Sequence, residues 1–147
     1  MTQMNSRNLL IASTSTVYGS SYLEYLEDEV KDLFSSCEEV IFIPYAQPGG
    51  ISYDSYTLAA KKLFDSNGIS LKGIHEFDSA KHGLENCDGI FTGGGNTFVL
   101  LNQLYAMDLM AILKEKISGG IPYLGTSAGS NILGISIQTT NDMPIVG

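Results

Sequence analysis

Residues 121–131 read IPYLGTSAGSN, a short apolar run followed by a glycine-rich turn. The apolar run is typical of a buried strand, and Gly125, Ser127 and Gly129 follow it in the spacing Gly-x-Ser-x-Gly. A strand that enters this turn and continues as a helix holds the serine on a tight bend, because the glycines remove side chains that would collide there. The stretch therefore predicts a strand–turn–helix unit with Ser127 at the carboxyl end of the strand.

Apolar runs bounded by turn residues alternate with segments of helical period along the rest of the chain. They predict five buried strands, at residues 9–13, 40–44, 69–74, 89–92 and 121–125. Apolar residues at three- and four-residue spacing predict helices around residues 23–34, 59–64, 98–105 and 109–117. This order favours an α/β fold of three layers, in which helices cover both faces of a doubly wound, mostly parallel sheet.

The 147 residues contain no repeat, low-complexity tract or linker, so we expect a single α/β domain over residues 1–147. After Ser127 the sequence shows one short helical segment, a possible strand at residues 135–139, and then TTNDMPIVG. A doubly wound domain normally carries more elements beyond this point. We therefore interpret the chain as the N-terminal, nucleophile-bearing part of a fold that is incomplete at its C-terminal end.

Composition argues against several classes of partner. The formal net charge of −8 disfavours binding to the phosphate backbone of nucleic acids. No apolar run reaches the roughly 18 residues that a membrane span needs, and the N-terminus lacks a basic region followed by an apolar stretch. We expect a cytoplasmic protein without a membrane partner. Cys37 and Cys87 have no close Cys or His companions, so we expect reduced thiols and no metal site.

A second glycine cluster, GIFTGGGNTF, occupies residues 89–98 and places three glycines directly after a predicted strand. In a parallel sheet this loop and the Ser127 turn lie at the same edge, where ligands bind. Successive glycines expose backbone N–H groups that could complete an oxyanion hole with the amide of Ala128, or cradle a phosphate. The phosphate alternative is weaker, because no P-loop lysine is present. A tight turn capped by Asn96 is a purely structural alternative, as is Ser127 acting as a helix cap.

Five segments, taken in order, resemble the dipeptidase E family, the alpha-aspartyl dipeptidases among the serine peptidases. They are IPYA (43–46), YDSYTLAAKKLFDSNGISLKGIH (53–75), GGGNTF (93–98), GTSAGSN (125–131) and TTNDMPIV (139–146). The resemblance covers nearly the whole chain. It implies a flavodoxin-like fold of the class I glutamine amidotransferase type, hydrolysis of dipeptides with N-terminal aspartate (Asp-Xaa), and no metal or organic cofactor.

The resemblance also implies roles for particular residues. Ser127 matches the family's nucleophile, and the backbone amides of Gly94 and Ala128 correspond to its oxyanion site. Asp142 matches an aspartate assigned to the charge relay, for which a glutamate further along the family's chains is a second candidate. Taken without the resemblance, Asp142 is equally typical of a turn, since Asn141 and Asp142 can bond the local backbone.

The general base is missing from the expected place. The family's base is a histidine that follows the TTNDMPIV segment, whereas His75 and His82 are the only histidines here and both precede Ser127. We expect both to be surface or loop residues. Arg7, the only arginine, precedes the first strand, so no obvious cation is available for an aspartyl carboxylate.

The leading hypothesis is a serine exopeptidase of this family whose 147-residue chain does not turn over substrate by itself. One alternative is a non-catalytic binding module of the same fold that lacks the base. Another is an amidotransferase-like acyl transferase, although that class normally has cysteine at the position of Ser127. The sequence makes no prediction about the oligomeric state.

Overall fold

A computed structural model describes residues 8–12 and 27–126. The strands are β1 (Asn8–Ala12), β2 (Val40–Ile43), β3 (Leu71–Gly73), β4 (Ile90–Thr92) and β5 (Pro122–Thr126). The α-helices are α1 (Glu27–Leu33), α2 (Tyr53–Asp65), α3 (Ala80–Glu85), α4 (Thr97–Ala106) and α5 (Met110–Ser118). Short 3₁₀ turns cover Pro48–Gly50 and Ile74–Glu76.

The strands form one sheet in the order β1-β5-β4-β2-β3, and every neighbouring pair is parallel. The chain leaves β2 through α2 toward the β3 edge, whereas it leaves β4 through α4 and α5 toward β5 on the other side. Neighbouring strands whose connections diverge in this way open a crevice at their carboxyl ends, where ligands bind in doubly wound folds. The predicted α/β fold with a parallel sheet is confirmed.

Helices cover both faces of the sheet, so the strands are apolar on both sides. All four side chains of β2 are buried, and they alternate between two core clusters. The first core contains Ile41 and Ile43 with residues of α3, α4 and α5. The second core contains Val40 and Phe42 with residues of α1 and α2. The two clusters are the two interfaces of a three-layer structure.

The helix ends follow from local residues, with one element that the sequence did not predict. Ser52 caps α2 by accepting a hydrogen bond from the Ser55 amide at 3.1 Å, and Gly68, at φ +74°, supplies the left-handed residue after its end. The unpredicted element is α3, whose six residues contain a single large apolar side chain, Leu84. Within residues 8–12 and 27–126, no helix is long and apolar enough to cross a membrane.

Candidate active site

Two adjacent strands bring the predicted site segments to one edge of the sheet. Thr92 ends β4 and lies opposite Gly125, the penultimate residue of β5. The three glycines start immediately after Thr92, and Ser127 is the residue that follows β5. Ser127, Ala128 and Asp142 themselves lie outside the described residues, so their roles stay predictions. Gly94 is the one predicted site residue that the structure describes.

The segment Gly93–Asn96, here called the glycine loop, is fixed to the neighbouring structure by three hydrogen bonds. The Gly93 amide donates to the Ile43 carbonyl at 3.2 Å, and the Asn96 amide donates to the Ala46 carbonyl at 3.0 Å. Between them, the Tyr56 hydroxyl donates to the Gly94 carbonyl at 2.8 Å. The loop therefore rests on the exit of β2 at both ends and on α2 in the middle.

Close packing explains why two of these residues are glycine. A Cβ atom on Gly93 would collide with the hydroxyl of Tyr56. A Cβ on Gly95 would lie 2.7 Å from the carbonyl oxygen of Ala46, and Gly95 has a φ of +141°, which other residues rarely adopt. The glycines let the loop approach the backbone after β2 more closely than any side chain would permit.

The four amides of the loop differ in their partners. Gly93 and Asn96 donate to backbone carbonyls, whereas the amides of Gly94 and Gly95 donate to no acceptor within residues 8–12 and 27–126. Gly94 is buried, and buried backbone N–H groups in proteins nearly always have a partner. Two consecutive donors are thus available for an acceptor at the carboxyl-end edge. The resemblance singled out Gly94, whereas the triple-glycine pattern predicted a nest of N–H groups that includes Gly95 without indicating which of its amides lack a partner.

Asn96 has the structural role that the sequence offered as an alternative for this segment. Its Oδ1 accepts hydrogen bonds from the amides of Phe98 at 2.9 Å and Val99 at 3.1 Å, which caps α4. The cap leaves the Gly94 and Gly95 amides untouched, so capping and anion binding are compatible. Because α4 starts here, the positive end of its dipole also favours negative charge at this edge.

His82 is exposed on α3, as expected of a surface histidine, whereas His75 is more enclosed than predicted. The His75 side chain is 19% exposed, its Nε2 lies 2.7 Å from Asp54 Oδ1, and its ring meets the Tyr53 ring at 5.7 Å. His75 follows β3, and β2 and β4 separate β3 from β5. At ordinary strand spacing this is about 14 Å, too far for contact with a residue at the end of β5.

The thiols lie at the opposite, amino-end edge of the sheet. Cys37 and Cys87 are free cysteines, and their Sγ atoms contact the carbonyls of Asp88 at 2.9 Å and Leu84 at 3.1 Å. Burial is the largest cause that raises the pKa of each thiol to about 11. Thiols with so high a pKa are poor nucleophiles. In the described part of the chain, no three His, Cys, Asp or Glu residues are grouped so that they could hold a metal ion.

Comparison with known proteins places the chain in a family. The model of peptidase family S51 matches residues 9–147. The chain is 43% identical over 139 residues to peptidase E of Shewanella denitrificans and 45% identical over 145 residues to peptidase E of Shewanella amazonensis. These alignments cover 95% and 97% of this chain but 59% and 60% of the relatives. The chain therefore belongs to peptidase family S51 and spans about 60% of the length of these relatives.

Solved structures show the same fold. A Listeria monocytogenes EGD-e protein provisionally assigned as peptidase E matches with a TM-score of 0.63 and 28% identity, over 84% of this chain and 59% of that one. A peptidase from an acI-B1 actinobacterium matches with a TM-score of 0.66 over 84% of this chain and 55% of its own. At 18% identity the second match supports the fold alone. The predicted membership of the dipeptidase E family is confirmed.

Proposed function

We propose that this chain, as a member of peptidase family S51, carries the nucleophile and the oxyanion site of a serine exopeptidase. Its proposed substrates are dipeptides with N-terminal aspartate. One observation carries the proposal: at the end of β4, beside the strand that leads into Ser127, the glycine loop presents the amides of Gly94 and Gly95, which have no acceptor in the described part of the chain. Donors fixed beside a nucleophile are the arrangement that acyl transfer requires.

In the proposed reaction, the Ser127 hydroxyl attacks the carbonyl carbon of the peptide bond and transfers its proton to a general base. The amides of Gly94 and Ala128 donate hydrogen bonds to the oxyanion that forms. The carbon–nitrogen bond then breaks, the amine leaves with a proton from the base, and an ester links the aspartyl group to Ser127. Water hydrolyses this acyl-enzyme and regenerates the serine.

The base in this scheme is a histidine, and Asp142 is proposed to orient it and stabilise its charged form. The sequence contains no histidine after His82, and His75 is three strands away from β5. The proposal includes no metal or organic cofactor, because a serine nucleophile and backbone donors suffice for this chemistry. Preference for N-terminal aspartate and a cytoplasmic location are parts of the proposal that rest on resemblance and composition.

Covalent labelling tests the assignment of Ser127 in the native protein that carries this chain. A fluorophosphonate should modify Ser127, and Ser127→Ala should lower kcat/KM for an aspartyl dipeptide by about 10³-fold or more, because catalytic groups act as a unit. Ser118→Ala, at the end of α5, is the matched control and should retain full activity. Full activity in Ser127→Ala would refute the proposal.

A non-catalytic binding module of the same fold is the second candidate. We expect residues 1–147 alone to show no useful hydrolysis of an aspartyl dipeptide, since a serine without a base is a weak nucleophile. Intact mass of the native product separates the two candidates: 15.8 kDa supports the binding module, and a heavier, active product supports the peptidase. Efficient cleavage by residues 1–147 would mean that His75, His82 or a partner subunit supplies the base.

A further inference from the structure

We infer that Tyr56 is a positioning residue for the oxyanion site, whose hydroxyl holds the Gly94–Gly95 peptide so that the Gly95 amide becomes an additional donor. The inference rests on the proposed function, because the role assigned to the Gly95 amide is to stabilise the oxyanion formed in acyl transfer. Tyr56 lies on α2, in neither of the segments that carry the nucleophile and the glycine loop. Its contribution to the site would therefore be made entirely through the backbone of another element.

The contacts of Tyr56 fix its hydroxyl in place. The side chain is fully buried in the second core, and its ring meets the Phe42 ring edge-on at 5.0 Å. The hydroxyl donates to the Gly94 carbonyl at 2.8 Å and fills the space in which a Gly93 side chain would stand. A buried ring on a 13-residue helix is a rigid support, in contrast to a run of three glycines.

The hydrogen bond from Tyr56 to the Gly94 carbonyl also fixes the direction of the Gly95 amide, because both groups belong to the same planar peptide bond. Among the described residues no peptide bond is cis. In a trans peptide the C=O and the N–H point in opposite directions. Because the Gly94 carbonyl points at Tyr56, the Gly95 N–H points away from the core that contains Tyr56. No described residue accepts a hydrogen bond from it, and Gly95 is less buried than Gly94.

Fixed donors accelerate acyl transfer because they need no reorganisation when charge develops. Glycine is the residue with the greatest backbone freedom, so a Gly-Gly peptide without an external bond samples several orientations. The hydroxyl of Tyr56 removes that freedom at the Gly94–Gly95 peptide, whose N–H has no acceptor among the described residues. Loss of the hydroxyl should weaken stabilisation of the transition state while leaving the binding of the substrate's ground state nearly unchanged.

The test compares Tyr56→Phe with Tyr45→Phe in the native protein that carries this chain. Both variants delete one hydroxyl from a buried tyrosine, but Tyr45 belongs to the first core and makes no described bond to the glycine loop. With an aspartyl p-nitroanilide as substrate, we expect Tyr56→Phe to lower kcat by about tenfold, with KM changed less than twofold. Tyr45→Phe should keep the wild-type kcat. Equal kcat values for the two variants would overturn the inference.

A second measurement does not depend on turnover. In protein labelled with ¹⁵N-glycine, the NMR order parameter of the Gly95 amide should fall in Tyr56→Phe and stay at the wild-type value in Tyr45→Phe. An unchanged order parameter in Tyr56→Phe would overturn the inference even in a protein that cleaves nothing. Failure of the proposed function looks different: Ser127 would not react with a fluorophosphonate, whatever the Gly95 amide does.

Discussion

The two edges of the sheet both carry consecutive glycines, but the backbone amides of these glycines differ in their hydrogen-bond partners. At the carboxyl-end edge, the glycine loop leaves two consecutive amides without an acceptor among the described residues. At the amino-end edge, every amide of the turn before β5 donates a hydrogen bond to a carbonyl of α5. The pairs are Gly119 to Glu115 at 2.9 Å, Gly120 to Ile117 at 3.1 Å, and Ile121 to Lys116 at 3.2 Å. Glycine content alone therefore does not distinguish the two edges, whereas the partners of their amides do.

Helix direction adds an electrostatic difference between the edges. α4 starts at the carboxyl-end edge, where the positive end of its dipole favours negative charge. α5 ends at the amino-end edge, where helix carbonyls favour cations and Lys116 lies in the last turn. Thiols with raised pKa values also lie at this second edge. Only the carboxyl-end edge is therefore suited to stabilise an oxyanion.

The strongest test of this comparison is Gly95→Ala. The new methyl group would lie 2.7 Å from the Ala46 oxygen, and φ of +141° strains any residue with a side chain. The two backbone atoms nearest to the new methyl group, the carbonyl oxygen and carbon of Ala46, cannot move aside cheaply. We expect the free energy of unfolding to fall by about 3 kcal/mol, measured by urea denaturation of the native protein.

Gly68→Ala is the matched control, because Gly68 also has a positive φ, +74°, but no atom of the described residues apart from its chain neighbours lies within 4 Å of its Cβ position. It should lose only about 1 kcal/mol, the usual cost of a left-handed alanine. Equal losses at Gly95 and Gly68 would show that the tight contact with Ala46 adds nothing to the cost of a side chain at Gly95.

Local sequence patterns predicted most of the fold, because each strand is a short apolar run between turn residues. Strands were expected at 40–44 and 89–92 and are found at Val40–Ile43 and Ile90–Thr92. The expected strand 69–74 is shorter, since the chain turns into a 3₁₀ helix at Ile74. α3 gave no periodic signal because Leu84 is its only large apolar residue. Strand order depends on contacts between distant segments, which local patterns do not contain.

The candidate site was predicted only in part, for the same reason. Parallel topology correctly placed the glycine loop at the edge where β5 leads into Ser127. The bond from Tyr56 to Gly94 joins residues 38 positions apart, and no motif marks it. The burial of His75 likewise depends on Tyr53 and Asp54, which belong to another element. Which amides have partners is a property of tertiary contacts and becomes visible only in the folded chain.

The second prediction concerns the cap that separates the glycine loop from α4. Asn96→Ala removes the oxygen that accepts from two amides, so we expect a loss of about 1–2 kcal/mol in the free energy of unfolding. Asn96→Asp keeps an acceptor and should remain within about 0.5 kcal/mol of the wild type. Asn96→Asp also adds negative charge beside the proposed oxyanion site and should therefore lower kcat/KM. Wild-type stability in Asn96→Ala would show that α4 does not depend on this cap.

The smallest predicted effect tests whether the amino-end edge is chemically inert. Burial raises the pKa of the Cys87 thiol from 9.0 to about 11, although Lys116 partly opposes the shift. Between pH 9 and pH 11 the folded chain therefore keeps a proton that the unfolded chain loses, so stability is full below pH 9 and declines as the pH rises through 11.

For Cys87 the decline in the free energy of unfolding should be about 1 kcal/mol by pH 10. Cys87→Ala should lose less stability than the wild type over this range, because Cys37, Tyr45 and Tyr123, whose pKa values are also raised, are present in both proteins. Urea denaturation of the native protein at pH 8, 9 and 10 measures the difference. Parallel pH dependence in the two proteins would mean that the Cys87 thiol ionises as freely as in water, and the amino-end edge would have to be considered as a second reactive surface.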